Sequence, residues 1–413
     1  MTDYDVIVVG SGPAGSMAAW KLAQAGLNTL LVERQLLPRH KTCGGGMPMV
    51  AGDLLEIPQL RDLAPDAFVE LTISEFRCTY KFANEYLLSI CPQGSTDKGI
   101  WMVQRSVFDY ALAKRAVSAG ATLKDGARVV TLQADGSARV NVGISVAGNI
   151  EQFRARFVIG ADGANGVVAR LAGLKMKRSI AIAAEVEVPF NWDSNNSIIR
   201  KDRVHLEFGD INGGYSWLFP KANHLNVGAG LFSEHSPHHT SPQQTRQLLE
   251  EGIIRYLNYT EVPFNREELR FHFHPLPLWN GRHTLQNRQA TVLLVGDAAG
   301  LVNPIFGDGI LHALRSGEIA AKCIAQGTTA AYTRTINEHF QNNFDSALRL
   351  ARLFYRWPEI AYNMAVPRPG AGQIALRLLS GEALFTGLTR RMVRRIASAV
   401  TASTKGHYDR ANK

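Results

Sequence analysis

Two stretches, DVIVVGSGPAG at residues 5–15 and TLLVE at residues 29–33, decide the fold. They predict an apolar strand, a GxGxxG turn, a helix and a second strand that ends on an acid. In such a βαβ unit the glycines make the tight turn, leave room for a pyrophosphate and allow close helix–strand packing, while the helix N-terminus faces the phosphates and the acid accepts ribose hydroxyls. The sequence therefore predicts an ADP-containing cofactor, and the residues expected to bind it here are Gly10, Gly12, Ala14, Gly15, Glu33 and Arg34.

Two later segments repeat the design of a short buried strand followed by an acidic turn. ARFVIGADG occupies residues 155–163, and TVLLVGDAAG occupies residues 291–300. Taken singly, Asp162 and Asp297 could be ordinary turn aspartates at strand ends. Taken in order with the N-terminal unit, the three segments resemble the three fingerprints of flavoproteins that have the p-hydroxybenzoate hydroxylase type of fold.

This resemblance implies that the cofactor is FAD. In that family the second segment flanks the cofactor, which points to Asp162 and Gly163, and the aspartate of the third contacts the ribitol chain, which points to Asp297 beside Gly296. We also expect a helix to start near residues 298–301 and to direct its positive end at the flavin, where reduction places negative charge. Arg105, before a helix expected over residues 106–119, is predicted to contact FAD; a surface ion pair is the alternative.

Composition and charge narrow the class of protein. The chain has 413 residues, of which 46% are hydrophobic and 20% charged, and its formal net charge is +9. This length predicts two lobes. No apolar run approaches the roughly 18 residues that span a bilayer, and the chain starts on a strand with no signal segment, so we expect a cytoplasmic protein. The four cysteines lack metal-ligand spacing and His235, His238 and His239 lack paired carboxylates, so no metal site is predicted.

The positive charge is concentrated near the C-terminus, where RRMVRR occupies residues 390–395. One interpretation is a solvated helix face. The other is peripheral attraction to an anionic membrane surface, which would suit a lipid substrate. No nucleic-acid-binding module is recognisable, and nucleic acid is not an expected partner.

The pattern along the chain predicts an α/β fold: a Rossmann-like FAD-binding domain with an inserted mixed β-sheet substrate domain and a helical C-terminal region. The FAD-binding domain is expected to be discontinuous, over residues 1–75, 101–177 and 281–345. Residues 76–100 and 178–280 form the expected substrate domain, and residues 346–413 the helical region.

A hairpin in the substrate domain carries a row of aromatic side chains. GGYSWLFPK at residues 213–221 places Tyr215, Trp217 and Phe219 on one face of a strand, because side chains alternate. The returning strand, NVGAG at residues 226–230, has small residues that leave space beside the rings. This combination favours an apolar or aromatic substrate, although half-buried strands also pack such aromatics into a core.

With this hairpin the chain resembles the geranylgeranyl reductase family of flavoproteins, over about residues 1–330. The likeness is carried by the N-terminal fingerprint, KTCGG at residues 41–45, the Tyr-x-Trp-x-Phe-Pro-Lys hairpin, and GDAAG with the following NP and GDGI, which ends at residue 310. It implies reduction of isolated or allylic double bonds of prenyl chains by FAD that an external reductant recharges. Phe306 and the pair Leu311-His312 depart from the family pattern, close to where members hold the flavin.

The resemblance also points to residues around the flavin. Cys43 and Gly44 would border its pocket, with Gly307, Gly309 and Ile310 close to the ring. The Cys43 thiol is a candidate proton donor or substrate-positioning group, but cysteine is often only a small buried apolar residue. His312 is a second candidate proton donor, with a satisfied helix histidine as the alternative.

Three functions stay open at this point. The first is an FAD-dependent reductase that holds a carbon–carbon double bond against Tyr215 and Trp217. Because the chain has a single GxGxxG, its external electron donor, for example NADPH, would dock transiently. The second is a flavin monooxygenase that hydroxylates an aromatic ring or a tryptophan side chain of a partner protein. The third is a non-catalytic FAD-binding assembly factor.

Overall fold

The strands and helices follow from a computed structural model that describes residues 2–56, 68–90, 99–135, 139–193, 196–232 and 241–387. The strands are β1 (Thr2–Val9), β2 (Thr29–Val32), β3 (Gly46–Pro48), β4 (Val69–Ile73), β5 (Glu75–Tyr80), β6 (Ala83–Ser89), β7 (Ile100–Val103), β8 (Thr122–Lys124), β9 (Ala127–Ala134), β10 (Val140–Val146), β11 (Asn149–Gly160), β12 (Ser179–Pro189), β13 (Arg203–Phe208), β14 (Gly214–Pro220), β15 (His224–Phe232), β16 (His272–Leu278) and β17 (Val292–Leu294).

Helices are spread along the chain and follow one another without an intervening strand from Ile310 onward in the described residues. They are α1 (Pro13–Gln24), α2 (Ala51–Leu54), α3 (Arg105–Ser118), α4 (Val168–Leu171), α5 (Pro242–Tyr259), α6 (Ile310–Ala325), α7 (Tyr332–Arg356), α8 (Pro358–Ala365) and α9 (Pro369–Leu379). Short 3-10 helices occupy Gly296–Ala299, Thr329–Ala331 and Phe385–Gly387.

The first sheet is built around β1. Its strand order is β8-β2-β1-β11-β10-β9, with β17 also paired to β11. Strands β8, β2, β1, β11 and β17 are parallel, whereas β9 and β10 form an antiparallel extension. Residues Val6–Val9 are buried because the sheet is covered on both faces, which explains their continuous apolar run. The fold class predicted from the sequence is confirmed.

Two glycines bring the start of α1 against this sheet. Gly10 has a φ of +105°, and a Cβ added to it would lie 2.3 Å from the carbonyl oxygen of Ala161. A Cβ on Gly15 would lie 1.8 Å from the carbonyl oxygen of Gly10. Contacts this close exclude any side chain, so the N-terminus of α1 sits directly above the carboxyl ends of β1 and β11.

The second sheet has the order β16-β12-β15-β14-β13-β5-β6. Along β14 the side chains alternate between its two faces. Leu218 packs with Ile253 and Leu257 of α5 in one core cluster, on what we call the α5 face. Trp217 belongs to a different cluster on the opposite face, which we call the cavity face. A third sheet, β3-β7-β4, adjoins both.

The C-terminal helices cover the cavity face of the second sheet. Tyr362 of α8 is buried, and its hydroxyl lies 2.9 Å from the carbonyl oxygen of Cys78 and 2.7 Å from that of Asn84. The Gln373 amide of α9 donates to the carbonyl oxygen of Ser89 at 3.0 Å. These bonds tie α8 and α9 to β5 and β6. The C-terminal helical region, which carries no distinctive sequence motif, therefore packs over the cavity face.

One expected helix is wrong. The chain after Asp297 does not start a helix near residues 298–301, because Gly296–Ala299 is a single 3-10 turn. It ends at Gly300, whose φ of +71° lies in the left-handed region that glycine adopts without strain. The long helix α6 starts only at Ile310, after Gly309.

Some predictions fall on residues outside the described ranges. These are the basic segment at residues 390–395, the histidines His235, His238 and His239, and Cys91. The domain boundaries stay a prediction; every strand of the first sheet lies within residues 2–160 or 292–294. Within the described ranges, none of the helices combines the length and apolar character needed to cross a membrane.

The close packing at Gly15 predicts a sensitive position. Replacing Gly15 with Ala should lower the free energy of unfolding by about 1–3 kcal/mol, since a Cβ there overlaps backbone. Gly370→Ala is the matched control, because no atom lies within 4 Å of its Cβ position. It should change stability by less than about 1 kcal/mol. Chemical denaturation of both variants measures the difference, and equal stabilities would contradict the packing role of Gly15.

Candidate active site

A cavity of about 760 Å³ runs from the glycine turn of β1 to the C-terminal helices. At one end, which we call the cofactor end, it is lined by residues of the first sheet. At the other, the apolar end, it is lined by the cavity face of the second sheet and by α7, α8 and α9. Ligand sites are typically concave and largely apolar with a few placed polar groups, and this cavity has that character.

The cofactor end gathers residues from distant parts of the chain. Of the residues that the sequence predicts to bind the cofactor, those that line the cavity are Gly10, Gly12, Ala14, Glu33, Arg34, Cys43, Gly44, Arg105, Asp162, Gly163, Gly296, Asp297, Gly307, Gly309 and Ile310. Gly15 is the exception. It does not line the cavity, because it serves the helix–sheet contact described above.

Glu33 is held rigidly beside the glycine turn. Its Oε2 accepts hydrogen bonds from the backbone N–H of Ser11 at 3.0 Å and from the Ser11 hydroxyl at 2.8 Å. Arg39 adds an ion pair to the same oxygen at 3.3 Å. The glycine turn therefore orients the Glu33 carboxylate. A carboxylate that accepts ribose hydroxyls in a βαβ unit needs such a fixed orientation.

Arg105 belongs to a buried ion cluster and not to a surface pair. It is 8% exposed, and its Nε and Nη2 donate to the two carboxylate oxygens of Asp109 at 2.8 and 2.9 Å. Arg39 donates to the same carboxylate at 3.1 Å. Asp109 is fully buried, so it holds two guanidinium groups in fixed positions at the cavity wall.

Cations outnumber acids on this part of the wall. Lys41 also lines the cavity, and its pKa is lowered by burial and by the nearby Arg105 guanidinium. Four cationic side chains, Arg34, Arg39, Lys41 and Arg105, thus face a space beside a helix N-terminus. This donor set fits a pyrophosphate.

The two acidic turns differ in what they do. Asp162 Oδ2 accepts from the backbone N–H groups of Val167 and Val168 at 2.6 and 2.9 Å, while its Oδ1 is buried with no partner in the described part of the chain. Burial raises the pKa of Asp162. Asp297 lies in the 3-10 turn and faces the cavity. An unpartnered buried oxygen and a cavity-facing carboxylate are acceptors for hydroxyl donors such as those of a dinucleotide.

The aromatic row of β14 forms a wall of the apolar end. The rings of Tyr215 and Trp217 are 6.1 Å apart, and those of Trp217 and Phe219 are 6.2 Å apart. Trp217 Nε1 donates to Asn226 Oδ1 at 2.8 Å, and the Tyr215 hydroxyl donates to the carbonyl oxygen of Phe306. The polar tips are satisfied within the protein, so the rings present apolar surface to the cavity.

The opposite wall comes from the C-terminal helices. Its members include Leu350, Phe354, Tyr355, Val366, Leu376 and Leu379. None of these residues was identifiable from the sequence, because an amphipathic helix that lines a cavity has the same pattern as one that packs against a core.

Cys43 connects the cofactor end to the aromatic wall. Its backbone N–H donates to Glu185 Oε1 at 2.9 Å, and its Sγ accepts from the Gly45 N–H at 3.4 Å. A Cβ added to Gly44 would lie 2.7 Å from the Phe219 ring. Glu185 lines the cavity and is 1% exposed, and burial raises its pKa to about 7. No sequence motif singles out this glutamate, which stands in an ordinary strand pattern.

The structure does not support the proton-donor role expected of His312. Its Nε2 lies 3.1 Å from Asp308 Oδ2, and its ring packs edge-on against Phe344 at 4.7 Å. It is not among the described residues that line the cavity. These contacts fit the alternative of a helix histidine packed in the core, and its Nδ1 is buried with no hydrogen-bond partner among the described residues. A different histidine, His274, does line the cavity, and burial lowers its pKa to about 3.

Comparison with known proteins agrees with this geometry. The chain matches the model of the FAD binding domain family over residues 3–329. It is 30% identical over 333 residues to the digeranylgeranylglycerophospholipid reductase of Methanococcus aeolicus, covering 78% of this chain and 76% of that protein.

Two solved structures share the fold. A geranylgeranyl bacteriochlorophyll reductase-like protein from Thermoplasma acidophilum superposes with a TM-score of 0.73 at 22% identity, covering 96% of both chains. A flavin-dependent brominase superposes with a TM-score of 0.70 at 20% identity, covering 99% of this chain and 100% of the other.

The class that these findings define is an FAD-dependent oxidoreductase. The chain belongs to the FAD binding domain family and is a geranylgeranyl reductase-like member of it. The family resemblance and the FAD cofactor that were inferred from the sequence are thereby confirmed.

The role expected of Asp297 can be tested directly. Asp297→Ala should raise the Kd for FAD about tenfold to a hundredfold, since a hydrogen bond to a charged group contributes about 1.5–3 kcal/mol. Titration of apoprotein with FAD measures it. Asp210→Ala is the control, because that carboxylate pairs with Arg255 away from the cavity lining. An Asp297→Ala variant that retains FAD as well as the control would refute the assignment.

Proposed function

We propose that the protein is an FAD-dependent reductase of carbon–carbon double bonds in a prenyl or other long apolar chain. The observation that carries this proposal is the continuity of the cavity. The cofactor end opens without a break into the apolar end, which is walled by aromatic rings on one side and by aliphatic helix residues on the other. The names of the reductases that this chain resembles support the same substrate class.

When bound and reduced, FAD supplies a hydride. The residues of the chain do the remaining work. Arg39 and Arg105 would hold the charged part of the cofactor near the N-terminus of α1. Trp217 and Tyr215 line the cavity between its two ends and would position a double bond of the substrate beside the cofactor. The helix residues opposite, such as Phe354 and Val366, exclude water from the reacting carbons.

The reductant comes from outside the chain. The single GxGxxG, at residues 10–15, is assigned to FAD, so a nicotinamide donor such as NADPH, or another electron carrier, docks only for the transfer. The remaining parts of the proposal are peripheral contact with a membrane, from which a lipid substrate would be drawn, and a cytoplasmic location.

An anaerobic experiment tests the function. Protein reduced under anaerobic conditions and mixed with a geranylgeranyl lipid should return to the oxidised flavin spectrum, with saturation of double bonds seen by mass spectrometry. If the lipid leaves the flavin reduced, and admission of oxygen produces an absorbing species that persists before reoxidation, the monooxygenase is the correct function. A protein inert in both reactions would be an assembly factor.

Filling the apolar end should block the reaction selectively. Ala365 of α8 lines the cavity, and Ala365→Trp should reduce the rate of flavin oxidation by the lipid about tenfold or more, which is a loss of about 1.4 kcal/mol or more. FAD content should not change. Val117→Trp on the exposed face of α3 is the control. Equal rates for the two variants would show that the substrate does not occupy this end.

A further inference from the structure

We propose that Glu185 is the acid that protonates the substrate, an inference that rests on the reductase function proposed above. Glu185 lies in the middle of β12, opposite Gly228 of β15 and His272 of β16. It is on the cavity face, where it lines the passage beside Cys43 and Trp217. A side chain at this position faces the same cavity that would hold both the cofactor and the apolar chain of the substrate.

The hydrogen bonds of Glu185 leave one oxygen free for a ligand. Oε1 accepts from the Cys43 N–H at 2.9 Å, whereas Oε2 is buried and has no partner in the part of the chain that the structure describes. An unpaired carboxylate oxygen in a buried site is costly, because it has lost its water without a replacement. The neutral carboxyl avoids that cost, and its O–H is the donor that can reach a bound substrate.

Other titratable groups of the passage are less suited to the task. The Tyr215 hydroxyl is engaged with the Phe306 carbonyl, and burial raises its pKa far above neutrality. His274, with a pKa lowered to about 3, is neutral and holds no acidic imidazolium proton at neutral pH. Cys43 Sγ acts as an acceptor for the Gly45 N–H.

Charged and titratable groups face Glu185 from every element packed against it. They are Lys41 and Cys43 from the loop before β3, Glu187 from β12 itself, Lys221 directly after β14, and His272 from β16. The polar side chain of Asn226 on β15 and the two lysines favour the carboxylate, and Glu187 opposes it. Burial is the largest influence and raises the pKa of Glu185 to about 7, so both protonation states are accessible near neutral pH.

The reaction balances with this assignment. The π bond of the substrate breaks, and the hydride that reduced FAD supplies forms a C–H bond at one carbon. The electron pair that is left takes the carboxyl proton of Glu185 and forms a C–H bond at the other carbon. The two electrons that the substrate gains would come from the reduced cofactor. Glu185 remains as a carboxylate and regains its proton from water, and an external two-electron donor such as a reduced nicotinamide restores the cofactor.

Glu185→Gln tests the assignment, because glutamine keeps the acceptor for the Cys43 N–H and loses the acidic proton. Flavin oxidation by the geranylgeranyl lipid should slow by about 10²–10⁴-fold in this variant, while reoxidation by oxygen stays unchanged. Glu185→Asp should restore part of the rate. Glu251→Gln on α5 is the control, since Glu251 is exposed, does not line the cavity and does not act on the pKa of Glu185. It should react at the wild-type rate.

The pH dependence of the reaction rate distinguishes a proton donor from a residue that only holds the Cys43 loop in place. Because the proton donor must be protonated, the wild-type rate should fall as the pH rises through about 7, the pKa of Glu185. Glu185→Gln should lose this limb. Infrared spectra provide a readout that is independent of turnover: the wild type should show a protonated-carboxyl band near pH 6 that Glu185→Gln lacks. The spectra of the wild type and Glu185→Gln must be compared, because burial also raises the pKa of Glu207 to about 7 and its carboxyl would absorb in the same pH range.

Each outcome decides between the two proposals. A Glu185→Gln rate within about twofold of wild type, with the same pH profile, overturns the acid role and leaves the reductase function standing. A wild-type flavin that no prenyl lipid oxidises overturns the reductase function and the acid role together. If Glu185→Gln fails to fold, Glu185→Asp decides: a rate and pH profile identical to those of the wild type would refute the assignment.

Discussion

The contact between the N-terminus of α1 and the carboxyl edge of the first sheet is the constraint on which the rest of the structure depends. Gly10 and Gly15 permit it, since each lies where a side chain would overlap backbone. The contact sets a helix N-terminus over the ends of β1 and β11 and so creates the cofactor end of the cavity. Glu33, at the end of β2, reaches this point because Ser11 of the same turn binds its carboxylate.

Charge at the cofactor end is arranged by burial. Asp109, itself without access to water, binds Arg39 and Arg105, both of which line the cavity. Separating one partner from such a cluster would leave an uncompensated buried charge. The cost of that charge keeps the three side chains together. The electrostatic field is therefore in place before an anionic cofactor arrives, and little reorganisation is required when it binds.

The two faces of the second sheet have different roles: one packs into the core against α5, and the other lines the cavity. Leu218 and its neighbours pack on α5, while Trp217 and Glu185 face the cavity. Alternation of side chains along a strand makes this division without any change of backbone. The C-terminal helices complete the apolar end, and Tyr362 and Gln373 hold them there through hydrogen bonds to backbone carbonyl oxygens of β5 and β6.

The amino-acid sequence by itself determined the α/β class, the FAD cofactor and the aromatic wall. Each is encoded by contiguous segments whose local structure can be predicted from their own residues. The glycine turn, the acidic turn at Asp297 and the alternation around Trp217 are of this kind. The helix expected directly after Asp297 was wrong, because Gly300 ends that turn. The surroundings of His312, whose ring packs against Phe344, likewise do not follow from the motif.

Only the tertiary structure decided which unremarkable residues share the cavity. Arg39 meets Asp109 across 70 positions of sequence, and Glu185 meets Cys43 across 142. The aliphatic residues of α8 and α9 face the aromatic wall only because those helices fold back over β5 and β6. Such encounters depend on chain topology and on burial, which convert a common glutamate in a strand into a carboxyl with an unpaired oxygen and a pKa of about 7.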